Sequence, residues 1–441
     1  MPHNKLKRFL VRYMKFWLAD FPRRWAPAAS LAAALLVTAC GGGGGGDDAA
    51  ATEQVPVAPS IPETAPVPPA TPTSQPRSSS VAGVCTPEGE KQFVRSYLDE
   101  VYLWYDEIPA VDPARYTSVQ EYFRALLIRT PDSTGQPRDR FSAVLTTSQA
   151  DALQASAAPS SQPLAAFVAT RPVPLAKVVA SPGGRRMGYI LFNDHDTGAQ
   201  DALINAFTEL RDAGVQDLVL DMRYNSGGYL YVARTAASMV TGPAAEGRVF
   251  EQLRYNNKRQ AESNAGTYFF TGRVQSAESQ HPSGYRLPQL GLPRLYVLAS
   301  GLTCSASESI VNSLRGIDVQ VVLVGDTTCG KPFGFRRKDN CGLALYPIEF
   351  QGYNAKNFGD FAGGFAPTCA VRDDETSPLG APTEPLLAAA LQHADTGACP
   401  PSTATRSSNE LLSRELGLRQ RQHAPLPGQQ RAPWDGKLLK P

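Results

Sequence analysis

The sequence has almost no surplus of charge of either sign: 43 lysines and arginines stand against 41 aspartates and glutamates, a formal net charge of +2. Nucleic-acid binders carry a basic domain or face, so no nucleic-acid partner is expected. Long apolar runs are also missing. Past residue 40 nothing approaches the roughly 20 uninterrupted apolar residues of a spanning helix, which excludes a multi-pass membrane protein. No cysteines stand in Cys-x-x-Cys spacing and no histidines in His-x-x-x-His spacing, so no metal site is expected. Histidine itself is scarce, at five, and charged residues make up only 19%. The 441 residues, 42% of them hydrophobic, still suffice for a sizeable core and, at roughly 150 residues per domain, for up to three domains.

What is present begins with an address. Residues 1–25 carry Lys5, Lys7, Arg8, Arg12, Lys15, Arg23 and Arg24 against the single acid Asp20. The apolar run from Ala26 to Ala39 is too short to span a bilayer and suits the core of a signal peptide, residues 1–39. It closes on Val37-Thr38-Ala39-Cys40, which resembles a bacterial lipobox with Cys40 as the lipidated residue. Residues 40–84, six glycines and then a Pro/Ala/Thr/Ser-rich stretch, cannot bury enough apolar area to offset ordering and read as a flexible tether. The expected location is therefore the periplasmic side of a bacterial envelope, held to the membrane by lipid. Gly41 in place of an Asp after Cys40 favours the outer membrane. Six further cysteines, Cys85, Cys304, Cys329, Cys341, Cys369 and Cys399, are an even set after an export signal and read as disulfides. Six allow fifteen pairings; Cys85 and Cys399 bracket the body, and Cys341 and Cys369 bracket a β-rich segment.

The body is α/β. Residues 85–142 form a small helical N-terminal domain, with Phe93, Tyr97, Val101 and Trp104 spaced as one helical face whose ordinary role is core. From residue 187 to 399 short apolar strands alternate with helical stretches: 187–192, 199–213, 218–220, 230–240, 295–299, 305–314 and 319–324, then strands over 342–350 and a helix over 383–393. The first half of residues 143–186, Gln149 through Gln162, reads as an Ala/Ser-rich loop, and residues 400–441, rich in Arg, Gln, Ser and Pro, as a disordered tail.

Ligands in open α/β sheets bind beyond the carboxyl ends of strands, and three such ends are chemically dense. The first is Asp221-Met222-Arg223-Tyr224-Asn225-Ser226-Gly227-Gly228, the second Thr303-Cys304-Ser305-Ala306-Ser307-Glu308, the third Thr328-Cys329-Gly330-Lys331-Pro332. Each has a bland reading. Ser305 and Glu308 make a helix capping box, Asp221 and Arg223 a structural ion pair, and Lys331 a surface lysine at a turn. Together they read differently. A serine at a helix start sits beside outward-facing N–H groups able to hold an oxyanion, those of Ala306 and of Gly227 or Gly228. A lysine desolvated in an apolar pocket can act as its base. His195 with Asp221 is the alternative, a Ser–His hydrolase, although no Gly-x-Ser-x-Gly elbow surrounds Ser305.

These three motifs in this order resemble the carboxyl-terminal processing, or tail-specific, serine peptidases over roughly residues 85–400, and the Cys-bearing versions resemble their lipoprotein branch. The resemblance implies a crotonase-like α/β core that hydrolyses polypeptides with a Ser–Lys dyad and no cofactor. By motif position Ser305 would be the nucleophile, Lys331 the base and Glu308 its support. Ala306 and Gly227 or Gly228 would supply the oxyanion hole, while Asp221 and Arg223 would shape the site or meet substrate. A Cys304–Cys329 bridge would pin the dyad. Family members usually carry a PDZ domain before the core; residues 143–186 are too few for one, so it is expected to be absent or a remnant. The competing expectation is a catalytically silent relative that binds peptides or envelope proteins.

Overall fold

The computed structural model describes residues 75–155, 171–374, 377–401 and 437–438; the expected signal peptide, Cys40 and the tether up to residue 74 lie outside these. Helix α1 (Pro87–Val101) starts where Thr86 accepts from the Gly89 N–H, with Pro87 at its first position and Glu88 and Glu90 in its first turn. Helix α2 (Val119–Leu126) starts in a Ser118/Glu121 capping box. Then come β1 (Ala143–Thr146), α3 (Thr147–Ala155), β2 (Leu175–Ala180), β3 (Arg186–Leu191), α4 (Ala199–Asp212), β4 (Asp217–Asp221), β5 (Gly228–Tyr229), α5 (Leu230–Val240), β6 (Val249–Tyr255) and β7 (Thr267–Phe269). Short helical turns aside, the rest are β8 (Arg294–Ala299), α6 (Ala306–Gly316), β9 (Gln320–Gly325), β10 (Phe333–Phe335), β11 (Lys338–Asn340), β12 (Leu343–Tyr346), β13 (Phe350–Tyr353), β14 (Cys369–Ala370), α7 (Pro385–Thr396) and β15 (Lys437–Leu438).

The main sheet runs β14-β9-β8-β4-β3-β2, parallel except for the antiparallel edge strand β2. Its strands are apolar on both faces, as a covered parallel sheet requires. Alternate residues serve two cores. Ile190, Leu220, Val297 and Leu323 face the core shared with α4, α5 and α6, while Tyr189, Val219, Leu298 and Val324 face α7. A third core joins α1 and α2 to β1, β10 and β12. Registers pairing Asp221 with Leu298, and Ala299 with Gly325, bring the carboxyl ends of β4, β8 and β9 side by side. All three chemically dense turns therefore leave the same edge of the sheet.

Several local expectations differ. Trp104 lies beyond α1, which stops at Val101, yet is buried edge-to-face against Phe333 at 5.0 Å. Within 143–186, α3 replaces the start of the expected loop, β1 pairs with β12 and β2 with β3, so both strands belong to neighbouring sheets. Residues 156–170 are outside the described part, as is most of the expected tail; residues 437–438 of that tail are a strand, not disordered chain. The disulfides are Cys85–Cys341, Cys304–Cys329 and Cys369–Cys399, so the two bracketing relations noted in the sequence are not pairings.

Candidate active site

Ser305 is the N-cap of α6 and takes φ 56°, ψ −106°, a conformation that a side-chain-bearing residue adopts only under constraint. It is fully buried, and its hydroxyl Oγ has no hydrogen-bond partner among the described residues. Buried hydroxyls are nearly always satisfied, so a strained backbone and an unpartnered Oγ at one residue make Ser305 an exception on both counts.

Glu308 explains how that residue is held. Its Oε2 accepts the N–H of Ser305 at 2.8 Å and the N–H of Lys331 at 2.8 Å. Its Oε1 accepts the Gly330 N–H at 2.9 Å and the Thr328 hydroxyl at 2.6 Å. Two segments remote in sequence thus meet on one carboxylate, and Ser305 and Lys331 meet on one oxygen. Burial pushes the Glu308 carboxyl above its ordinary range, and the bonds from Thr328, Lys331, Ser305 and Gly330 pull the other way. The Cys304–Cys329 bond, with Cα atoms 5.2 Å apart, ties the same two segments covalently. Lys331 is 1% exposed; its Nζ lies 4.5 Å from the Phe335 ring centre and 5.0 Å from that of Phe141. The amine is thus withdrawn from water and set beside two aromatic rings.

On the other flank Gly227 has φ +103°, and a Cβ there would lie 2.9 Å from the Cys304 carbonyl, 3.0 Å from the Ala306 nitrogen and 3.1 Å from the Ser305 Cβ. Only glycine leaves the space before the Ala306 N–H open. The Gly227 N–H, however, donates to Asn225 Oδ1 at 3.0 Å and so is not open to an oxyanion. Asn225 is the residue whose part the sequence did not disclose. Fully buried, its Oδ1 also accepts the Ser307 hydroxyl at 2.9 Å and meets His195 Nδ1 at 2.9 Å, while its Nδ2 donates to the Phe192 carbonyl at 3.0 Å. An Asn two residues before a glycine is an Asx-turn signal, and that alone could have singled it out.

The Ser–His–Asp alternative is not assembled. His195 Nδ1 is committed to Asn225, and among the described residues His195 Nε2 and Ser305 Oγ both lack partners, so they do not bond each other. Burial drives the imidazole down to about 3, with Asn225 and the Gly227 backbone opposing, so it stays neutral. Asp221 and Arg223 are fully buried and paired inward. Arg223 forks onto Asp221 (2.9 Å) and onto both oxygens of Glu384 (2.8 and 2.9 Å), and reaches Asp373 at 3.0 Å. This is the ion-pair reading of those residues, and the Tyr189 hydroxyl completes it at 2.8 Å from Asp221.

Fold and site together define an α/β protein with a strained serine and a buried lysine joined through one glutamate at the carboxyl edge of a parallel sheet. Residues 186–360 match peptidase family S41 and residues 89–143 match the peptidase S41 N-terminal domain. The chain belongs to peptidase family S41. A carboxyl-terminal-processing protease of Picosynechococcus sp. is 26% identical over 171 residues, 38% of this chain and 35% of that protein, so the match spans about a third of the relative. A crystal structure of a putative S41 protease from Bacteroides fragilis is similar in fold, with a TM-score of 0.54 and 20% identity, covering 69% of this chain and 97% of that one. A lipoprotein from Streptococcus agalactiae, at a TM-score of 0.45 and 11% identity over 65% of this chain and 92% of that one, is too loosely similar to carry an argument.

Proposed function

We propose that the protein is a serine endopeptidase with Ser305 as nucleophile and Lys331 as general base, acting on polypeptides of the bacterial envelope. The observation that carries this reading is the Glu308 oxygen shared by the Ser305 and Lys331 N–H groups, which holds the two residues together in a water-excluded place. In this reading Lys331, in its uncharged form, takes the Ser305 proton as Oγ attacks a peptide carbonyl. The N–H groups of Ala306 and Gly228 hold the oxyanion, and the protonated amine hands its proton to the leaving nitrogen. Water then hydrolyses the acyl-enzyme through the same lysine. Glu308 is a positioning residue, since its bonds go to main-chain N–H groups and a neighbouring hydroxyl. Retention on the membrane through lipid at Cys40, after removal of residues 1–39, belongs to the same proposal and rests on the sequence alone.

The test is casein cleavage by the full chain beside Ser305→Ala, Lys331→Ala and His195→Ala. Ser305→Ala and Lys331→Ala are expected to lose about a thousandfold or more, as when one member of a catalytic unit is removed. His195→Ala is expected to keep cleavage well above the Ser305→Ala level. No cleavage by any version, on the native background or with Lys437→Pro and Leu438→Pro added, and with the fold intact by circular dichroism, would make the protein a peptide-binding relative instead.

A further inference from the structure

Strand β15 stands between two strands that come from the two sides of the site. Lys437 pairs with Gly228 on one side and Gly334 on the other, and Leu438 with Tyr229 and Phe335, all in parallel. The first edge continues directly from Gly227, which abuts Ser305 and Ala306. The second follows Lys331 by one residue, and its Phe335 ring lies beneath the Lys331 amine. Neighbouring strands are about 4.8 Å apart, so the space that β15 fills is a slot about 10 Å wide with a main-chain edge on either side. Two such edges accept one extended polypeptide through backbone hydrogen bonds. The facing of β5 agrees. The Gly227 carbonyl and the Tyr229 N–H bond the His195 backbone, at 3.4 and 3.1 Å. Polar groups of successive strand residues point to opposite sides, so Gly228 presents its N–H and carbonyl to β15. That is the N–H assigned above to the oxyanion.

We infer that residues 437–438 occupy the substrate strand's place, so that this chain's own segment closes the slot to other polypeptides and an incoming one must run parallel to β5 and β10. Calling the incoming polypeptide a substrate rests on the peptidase reading; the occupancy does not. A segment tied to the body competes at an effective concentration of about a millimolar, which is enough to mask binding by a free peptide.

The test uses the full chain carrying Ser305→Ala, with and without Lys437→Pro and Leu438→Pro, because proline removes the N–H donors that a ladder needs. The probe is a fluorescent peptide of residues 431–441, followed by anisotropy. The proline version is expected to bind it at least about tenfold more tightly than the version with the native segment. Hydrogen exchange at Gly228 and Phe335, whose N–H groups face β15, is expected to quicken in the proline version and to slow again when peptide is added. Equal binding in both versions, or none, overturns the inference. So does loss of the fold in the proline version, which would make β15 a built-in strand. With Ser305 restored, casein cleavage should rise on the proline background. Peptide binding that behaves as expected while neither version cleaves leaves the slot standing and removes the peptidase reading.

Discussion

At the scale of single residues the site is made from conformations that side chains resist. Ser305 is held at positive φ by the N–H bond to Glu308, and its neighbour Gly227 has no side chain to place in front of Ala306. Gly227→Ala is therefore expected to act twice. It forces a Cβ to within 3.0 Å of the Ala306 nitrogen in a backbone region that costs a non-glycine residue about 1–3 kcal/mol. It also fills the space where an oxyanion would meet that N–H, a loss of about a hundredfold to a thousandfold in kcat. Steady-state kinetics with thermal melting would separate the two, and a variant that melts early but turns over normally would remove Ala306 from the oxyanion hole.

At the scale of elements, Arg223 fastens the end of β4 to the start of α7. Glu384 is the N-cap of α7: it accepts from the Leu386 and Leu387 N–H groups and from Arg223 together. Burial pushes the Asp221 carboxyl up, and the Arg223 charge beside it pulls it down; burial likewise opposes the Arg223 charge, and Asp221 and Glu384 outweigh that. Removing one partner leaves buried carboxylates unpaired. Arg223→Met is expected to cost about 3–5 kcal/mol in chemical denaturation, more than any exposed pair would. A loss near zero would mean that α7 is capped without it. The sequence shows why this was half legible: Asp221 and Arg223 are two residues apart on a strand end, but Glu384 reaches them only through the packing of α7 on the sheet.

At the scale of the whole molecule, Cys85 and Cys341 join the entry to α1 with the turn between β11 and β12, closing a loop with a sequence separation of 256. Cys369 and Cys399 close one of only 30. If chain entropy governs, the longer loop stabilises by about 2 kcal/mol more. Replacing Cys85 and Cys341 by serine should thus lower stability further than replacing Cys369 and Cys399, as read by denaturant titration under oxidising conditions. The reverse order would place the strain or solvation of the folded state above loop length.

The sequence by itself determined the alternation of strands and helices and the three dense turns at strand ends. Those signals are local: apolar runs, a glycine after a strand, a Ser-x-x-Glu start. Tertiary structure alone decided what depended on remote segments meeting. It paired the cysteines, brought the Ser305 and Lys331 N–H groups onto one Glu308 oxygen, and engaged Gly227 with Asn225. It also ordered Lys437 and Leu438 into a strand that their Arg-, Gln- and Pro-rich surroundings do not encode. A strand between two waiting edges draws its hydrogen bonds from those edges, so its own residues carry little of the signal.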